Sequence, residues 1–202
     1  DNIYKARIKI LVNAVGKEEF GKQVEAEWEH IKEGVLKLEQ KDIDHAQSFF
    51  TSPTYDEDAV DVNSFNEAKK SNSAFSNWVG RNLYPHKIPG YEAVVISLKA
   101  PKIAPGDATD EQMDFIADLS DQYSFGEIIV THDQNLVLPN VKQADLFSLW
   151  EKLETQNLAT SNIGLLTDMI CCPGLDFCSL ASAGSIPIAK QINEKFDDMD
   201  YL

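Results

Sequence analysis

The apolar positions change their spacing several times along the chain, and each change marks a different element. Ile3, Ile8, Leu11, Val12 and Val15 approximate one helical face, so residues 3–15 are predicted to form a helix that Gly16 interrupts. Phe20, Val24, Trp28 and Ile31 recur at helical spacing and predict a second helix over 17–32. From Lys32 to Ala74 the periodicity fades. This stretch is rich in Asp, Asn, Ser and Glu and is acidic from Tyr55 to Asp61. It is expected to be a poorly ordered insertion with short helical pieces. Trp78–Tyr91 holds Pro85, Pro89 and Gly90 and is expected to be a loop entering a strand.

The pattern sharpens after Tyr91. Val94, Val95, Ile96 and Leu98 predict a buried strand over Tyr91–Ala100, followed by a turn over Pro101–Asp107. Thr109 and Gln112 form a capping-box signature. The helix they open is expected to bury Met113, Ile116, Ala117, Leu119 and Tyr123 and to stop at Gly126. Glu127–Thr131 reads as a second strand, and Leu136–Leu138 as a short extended piece ended by Pro139. Leu146, Leu149, Trp150 and Leu153 point inward from a helix over about residues 143–156. Thr160–Ile170 is a link. Ser179–Ile192 is a small-residue helix made irregular by Gly184 and Pro187, and Asp197–Leu202 is a fraying acidic tail. The order of strands and helices implies an α+β fold with the rhythm of a ferredoxin-like unit, preceded by an N-terminal helical segment.

Composition narrows the classes. The chain has 202 residues, enough for one large domain or two small ones, and its 43% hydrophobic content supports a core. No apolar run approaches the roughly 20 residues that span a bilayer. No basic start precedes an apolar stretch, so no signal peptide is visible, and the opening at Asp1 suggests a processed or excised segment. Three cysteines do not make a secreted disulfide framework, and the cytoplasm is the expected compartment. The net charge of −15 argues against nucleic acid or an anionic membrane as partner.

The candidate chemistry gathers at three places. Cys171, Cys172 and Cys178 lie on a loop that Pro173 and Gly174 turn, which suits a soft metal or iron–sulfur cluster but equally suits buried structural thiols. Thr131, Gln134 and Asn135 close a strand end. Their hydroxyl and amides could orient carboxylate edges or ordered water without adding charge, or simply build the turn. Arg81, His86 and Lys87 form the densest basic cluster, able to face a cofactor carboxylate or redox partner, or to be a solvated loop. There is no P-loop, G-x-G-x-x-G or H-E-x-x-H, and His30, His45, His86 and His132 are scattered.

The wording of the cysteine loop, Cys172-Pro-Gly-Leu-Asp-Phe-Cys178-Ser-Leu-Ala181, resembles the first cysteine pair of the sirohaem-dependent sulfite and nitrite reductases. Gly126–Pro139, with Thr131-His-Asp-Gln134-Asn135, is similar to that family's Thr-x-x-Gln-Asn strand end, on a loop facing the haem-binding centre. The opening around Arg7, Lys9 and Phe20 looks like the segment linking the family's two halves, and Trp78-Val79 like the approach to its second repeat.

The resemblance implies an enzyme that reduces sulfite to sulfide or nitrite to ammonia at sirohaem, coupled to a 4Fe–4S cluster. It implies Cys172 and Cys178 as metal ligands, and Thr131, Gln134, Asn135, Arg81 and Lys87 as cofactor-binding residues, with catalytic residues unknown. The remaining cluster ligands come from a later cysteine pair in that family. The segment is therefore expected to be incomplete by itself and to bind neither cofactor stably. Its partners would be the remainder of the reductase and a flavoprotein or ferredoxin donor. The implied organisation is a helical linker over 1–76, a ferredoxin-like repeat over 77–158, and the start of the sirohaem/4Fe–4S domain over 159–202. The alternative is a non-enzymatic ferredoxin-like protein-interaction domain with structural cysteines. Dimers pooling their cysteines are a third possibility.

Overall fold

The computed structural model describes residues 7–35, 37–56, 59–60 and 62–197. The chain divides into two compact units, the first ending at Ser52 and the second starting at Pro53. The first unit is helical: α1 (Ile8–Val15), α2 (Lys17–Ile31) and α3 (Gln40–Ser48). Gly16, at φ +85°, makes the break between α1 and α2. Val12, Val15, Phe20 and Ile31 are its half-buried apolar side chains on α1 and α2. Ile3 lies outside the described residues.

The second unit holds α4 (Val62–Ser71), α5 (Ser73–Asn82), β1 (Leu83–Pro85), β2 (Tyr91–Ile96), α6 (Asp110–Tyr123), β3 (Ile129–Val130), β4 (Leu136–Lys142), α7 (Leu146–Thr155) and α8 (Ile186–Phe196). The sheet order is β1-β2-β4-β3 and every neighbouring pair is antiparallel. From β2 to α7 this follows the ferredoxin-like strand–helix–strand–strand–helix path. The edge position beside β2 is filled by β1, which comes from upstream.

One sheet face carries Val94, Ile96 and Leu138. It packs with Ile116 and Leu119 of α6, Leu149 and Leu153 of α7, and Phe75 and Trp78 of α5 into one core. The Phe75 ring lies 5.1 Å from Phe147 and 5.6 Å from Trp150.

Several sequence expectations are corrected. The short helical pieces expected in the polar stretch 32–74 are α3 and α4, which cover more of it than a mainly irregular insertion would. Tyr55 fastens its middle, donating to Asn140 Oδ1 at 2.8 Å with its ring 5.0 Å from Tyr91. Trp78 sits on a helix, not a loop, because Phe75, Trp78 and Asn82 share one buried face and Asn72 Oδ1 caps the start by accepting from Phe75 N. Pro85 is tolerated because β1 is an edge strand. Of the expected inward face of α6, Ile116, Leu119 and Tyr123 are buried, joined by Ser120, whereas Met113, at 61%, and Ala117 are exposed. β2 stops at Ile96, and β3 shrinks to two exposed edge residues.

Strand β4 runs straight through Pro139, which was expected to end it. The register is irregular between Glu92 and Val94, so Pro139 lies at a bulge where no ladder donor is required. The neighbouring Asn140 N–H donates to Ser124 Oγ instead. The final helix starts only at Ile186, after Gly184, with Pro187 in its first turn, where its missing N–H costs nothing.

Leu149 is fully buried in this core. Leu149→Ala should cost about 3 kcal/mol, read as a lowered urea midpoint by tryptophan fluorescence.

Candidate functional site

The site is built where β2 and β4 present their ends. The turn between β3 and β4 is closed by Thr131: its N–H and Oγ1–H both donate to Asn135 O, at 3.0 and 3.1 Å, and Asn135 N–H donates back to Thr131 Oγ1 at 3.1 Å. Gln134 takes the left-handed conformation at φ +58°. Gly106, at φ +88°, allows this close packing, since a Cβ there would lie 3.0 Å from Gln134 Cβ.

The two amides of this turn are spent inside the chain. Gln134 clasps the backbone of Cys171: Nε2 donates to Cys171 O and Oε1 accepts from Cys171 N, both at 2.9 Å. Asn135 Oδ1 accepts from Leu98 N at 3.2 Å, and Nδ2 donates to Asp168 Oδ1 at 3.0 Å.

Behind them lies an ion pair that the sequence reading missed. Lys99 Nζ meets Asp168 Oδ1 at 2.6 Å, with side chains 0% and 11% exposed. The ammonium also donates to Asp168 O at 3.2 Å and to Asp133 O. These three acceptors match its three protons. Asp168 Oδ2 takes Gly164 N–H at 3.0 Å, and Asn162 Nδ2 donates to Lys99 O and Thr167 O at 3.2 Å. The visible signal was a lysine at the end of an apolar strand, V-V-I-S-L-K. Asp168 had no local signal.

The sheet's second face opens into a cleft of about 570 Å³. Tyr84, Val95 and Val137 form its floor, Thr131–Asp133 one side, and Ile163, Gly164 and Asp168 the other. Its lining carries the carboxylates of Asp133 and Asp168 but no lysine or arginine. Thr131 and Asn135 are therefore on this cleft, while Gln134 turns to the cysteine loop. Arg81, on α5, and Lys87, exposed in the β1–β2 loop, are not among its lining residues.

The cysteine loop follows at once. Cys171 is buried at 6% exposure, and its Sγ–H donates to Cys172 O at 3.3 Å. Burial first, then the charges of Cys172 and Asp176, push the Cys171 thiol above its ordinary value. Cys172 is exposed and Cys178 half-buried. Gly174, at φ +61°, lets the loop close, because a Cβ there would sit 2.6 Å from Ala183 O. Leu175 N–H donates to Ala183 O at 3.1 Å and Cys178 N–H to Gly174 O at 2.9 Å. A hollow of about 240 Å³ beside Cys171 and Cys172 is walled by Ala183, Ile188 and Ile192. No group of three or more His, Cys, Asp or Glu side chains able to hold a metal occurs among the described residues.

The region that builds this sheet has known counterparts. Residues 90–156 match the nitrite/sulfite reductase ferredoxin-like half domain. The chain is 28% identical over 119 residues to the chloroplastic ferredoxin–nitrite reductase of Zea mays, covering 56% of this chain and 20% of that protein. It is 28% identical over 99 residues to the enzyme of Oryza sativa subsp. japonica, covering 49% and 16%, and 27% identical over 122 residues to that of Betula pendula, covering 58% and 20%. The chain thus spans about a fifth of the length of the curated relatives it matches. These similarities support the nitrite/sulfite reductase family, and the α+β architecture with its antiparallel sheet is consistent with the half-domain. No helix among the described residues is long and apolar enough to cross a membrane.

Lys99→Met leaves the Asp168 charge without its cation. It should destabilise the second unit by about 3 kcal/mol in urea denaturation. Alkylation of Cys171 followed against pH should inflect above the ordinary thiol range, because only the thiolate reacts.

Proposed function

We propose that this chain is part of an enzyme that reduces nitrite or sulfite, to which it contributes a ferredoxin-like half-domain and two thiolates of a cluster site. The observation that carries this reading is the half-domain match over residues 90–156. The Gln134–Cys171 clasp supports it by joining the matched turn to the cysteine loop.

The donor set fits half of a 4Fe–4S site. Cys172 and Cys178 are the exposed and half-buried sulfurs of one closed loop, whereas Cys171 is buried and burial pushes its thiol up. Two further ligands come from outside the described residues. When bound, the cluster and sirohaem would deliver six electrons to the anion, taking nitrite to ammonia or sulfite to sulfide. This chain's own residues hold the thiol pair in place, and the turn Thr131–Asn135 forms one wall of the cleft. Gln134 and Asn135 serve that wall by fixing its backbone, since their amides are engaged. The cleft supplies no cation for haem carboxylates, so Arg81 and Lys87 are the chain's own candidates for that contact, and the other cations come from the rest of the enzyme.

The relatives named above are ferredoxin-dependent nitrite reductases by their names, so nitrite and a ferredoxin donor are the first substrate and donor to test, with sulfite and a flavoprotein next. Those relatives are chloroplastic; for this chain the reducing cytoplasm is the compartment proposed, where ligand thiols stay unoxidised.

The test is anaerobic reconstitution with iron, sulfide and sirohaem, read by absorbance and iron content. The 202-residue chain should take up neither group stoichiometrically. A longer chain that also carries a second cysteine pair should bind both. Cys172→Ser and Cys178→Ser should each abolish its cluster absorbance, and Cys171→Ser should not. A longer chain that stays colourless would overturn the reductase reading in favour of a binding domain with structural cysteines.

A further inference from the structure

We infer that Lys99 and Asp168 are positioning residues that set where the Cys172/Cys178 loop stands relative to the half-domain. The inference rests on the reading that those thiols are ligands, and it deepens that reading by naming what aims them.

The argument starts from where the loop is attached. Thr160 O accepts from Asn82 Nδ2 at 3.0 Å, Asn162 Nδ2 holds Lys99 O, and Asp168 holds Lys99, Asn135 and Gly164. Cys171 is clasped by Gln134. After Cys171 the character changes. The bonds of Leu175, Cys178 and Ala181 all close within the loop itself, to Ala183, Gly174 and Cys178. The loop is therefore a self-contained piece whose placement is decided at its two flanks. Both flanks meet one turn, and the upstream flank is held by the Gln134 clasp as well. The upstream flank is the 3-10 turn Leu166–Asp168 itself, and α8, which follows the loop, packs against that same turn. Lys99 pins the turn to the segment just after β2 through both the Asp168 carboxylate and the Asp168 carbonyl.

A buried ion pair is a poor device for stability alone, because hydrophobic replacements of similar size often serve as well. Its geometric demand is strict, however, and a fixed geometry is what a ligand loop needs. Removing both charges together should therefore spare the fold and loosen the loop. That outcome separates positioning from a purely structural role.

The experiment uses the full chain and its thiols, without iron or haem. Alkylation of Cys171, Cys172 and Cys178 by iodoacetamide is followed by mass spectrometry, well below the melting point of each variant. Amide exchange across β2 reports on the sheet in parallel. In the double variant Lys99→Met/Asp168→Leu, Cys171 should be alkylated at least tenfold faster while β2 amides keep their protection. Asp168→Asn, which keeps the side-chain shape, should show the same effect at about threefold, and it carries the test should the double variant fail to fold. Unchanged protection of Cys171, or loss of β2 protection in step with it, overturns the inference. Because the readout needs no cofactor, failure here is distinct from failure of the reductase reading, which the reconstitution decides.

Discussion

A buried ammonium that finds three acceptors is the constraint on which the rest of the second unit's chemistry depends. Lys99 has left water completely, and its charge is tolerated because Asp168 and two backbone carbonyls replace its hydration shell. The same is true in reverse for Asp168, whose oxygens are shared among Lys99, Asn135 and Gly164. Such a network is satisfied only in one arrangement. It therefore ties together four segments that are distant in sequence: the segment just after β2, the β3–β4 turn, the link after α7 and the approach to the cysteines. Apolar packing of Leu138, Leu149 and Trp78 makes the sheet-and-helix body stable. The polar network fixes which way the appended loop leaves it.

Much of that body was legible in sequence. The Thr109–Gln112 capping box, the inward face of α7 and the β2 apolar run are local signals, and each appears where its periodicity puts it. The misreadings share a cause, which is that tertiary context relieved a local penalty. Pro139 stands inside β4 because a bulge removes the need for its donor, and Pro85 lies in β1 because that strand is an edge. Trp78 looked like loop because the prolines after it were visible, while the helical face it shares with Phe75 and Asn82 begins before the segment considered. The helices α3 and α4 hide in polar sequence because they bury little of their own surface.

The candidate site was legible in composition but not in partnership. Thr131, Gln134, Asn135 and the cysteines were grouped by their resemblance to the motifs of one family, and the fold brings Gln134 and Asn135 to the base of the cysteine loop. What each side chain touches could not be read from spacing. The amides proposed for a cofactor wall also hold Cys171 and Asp168, so rigidity is one contribution they make. Lys99 carried a faint signal as a cation in an apolar run, but Asp168 acquires meaning only when folding places it opposite. Arg81 and Lys87 show the converse: each lies three residues from the cleft's floor residue Tyr84, yet the cleft is lined without them.

Charge then limits what this chain can do alone. Nitrite and sulfite are anions, and a site that binds them needs converging donors and cations. The 33 acidic residues against 18 basic ones work against this, and the cleft repeats the pattern locally with Asp133, while the Asp168 charge is balanced by Lys99. The buried cation of the network is also unavailable, since its three protons are committed. On the proposed reading, an anion-reducing centre using this half-domain would draw its cations from outside the cleft lining, from Arg81 and Lys87 or from the rest of the enzyme. On that reading, the division of labour would leave this chain a wall and a thiol pair, and the positive potential for the anion would come from outside the cleft.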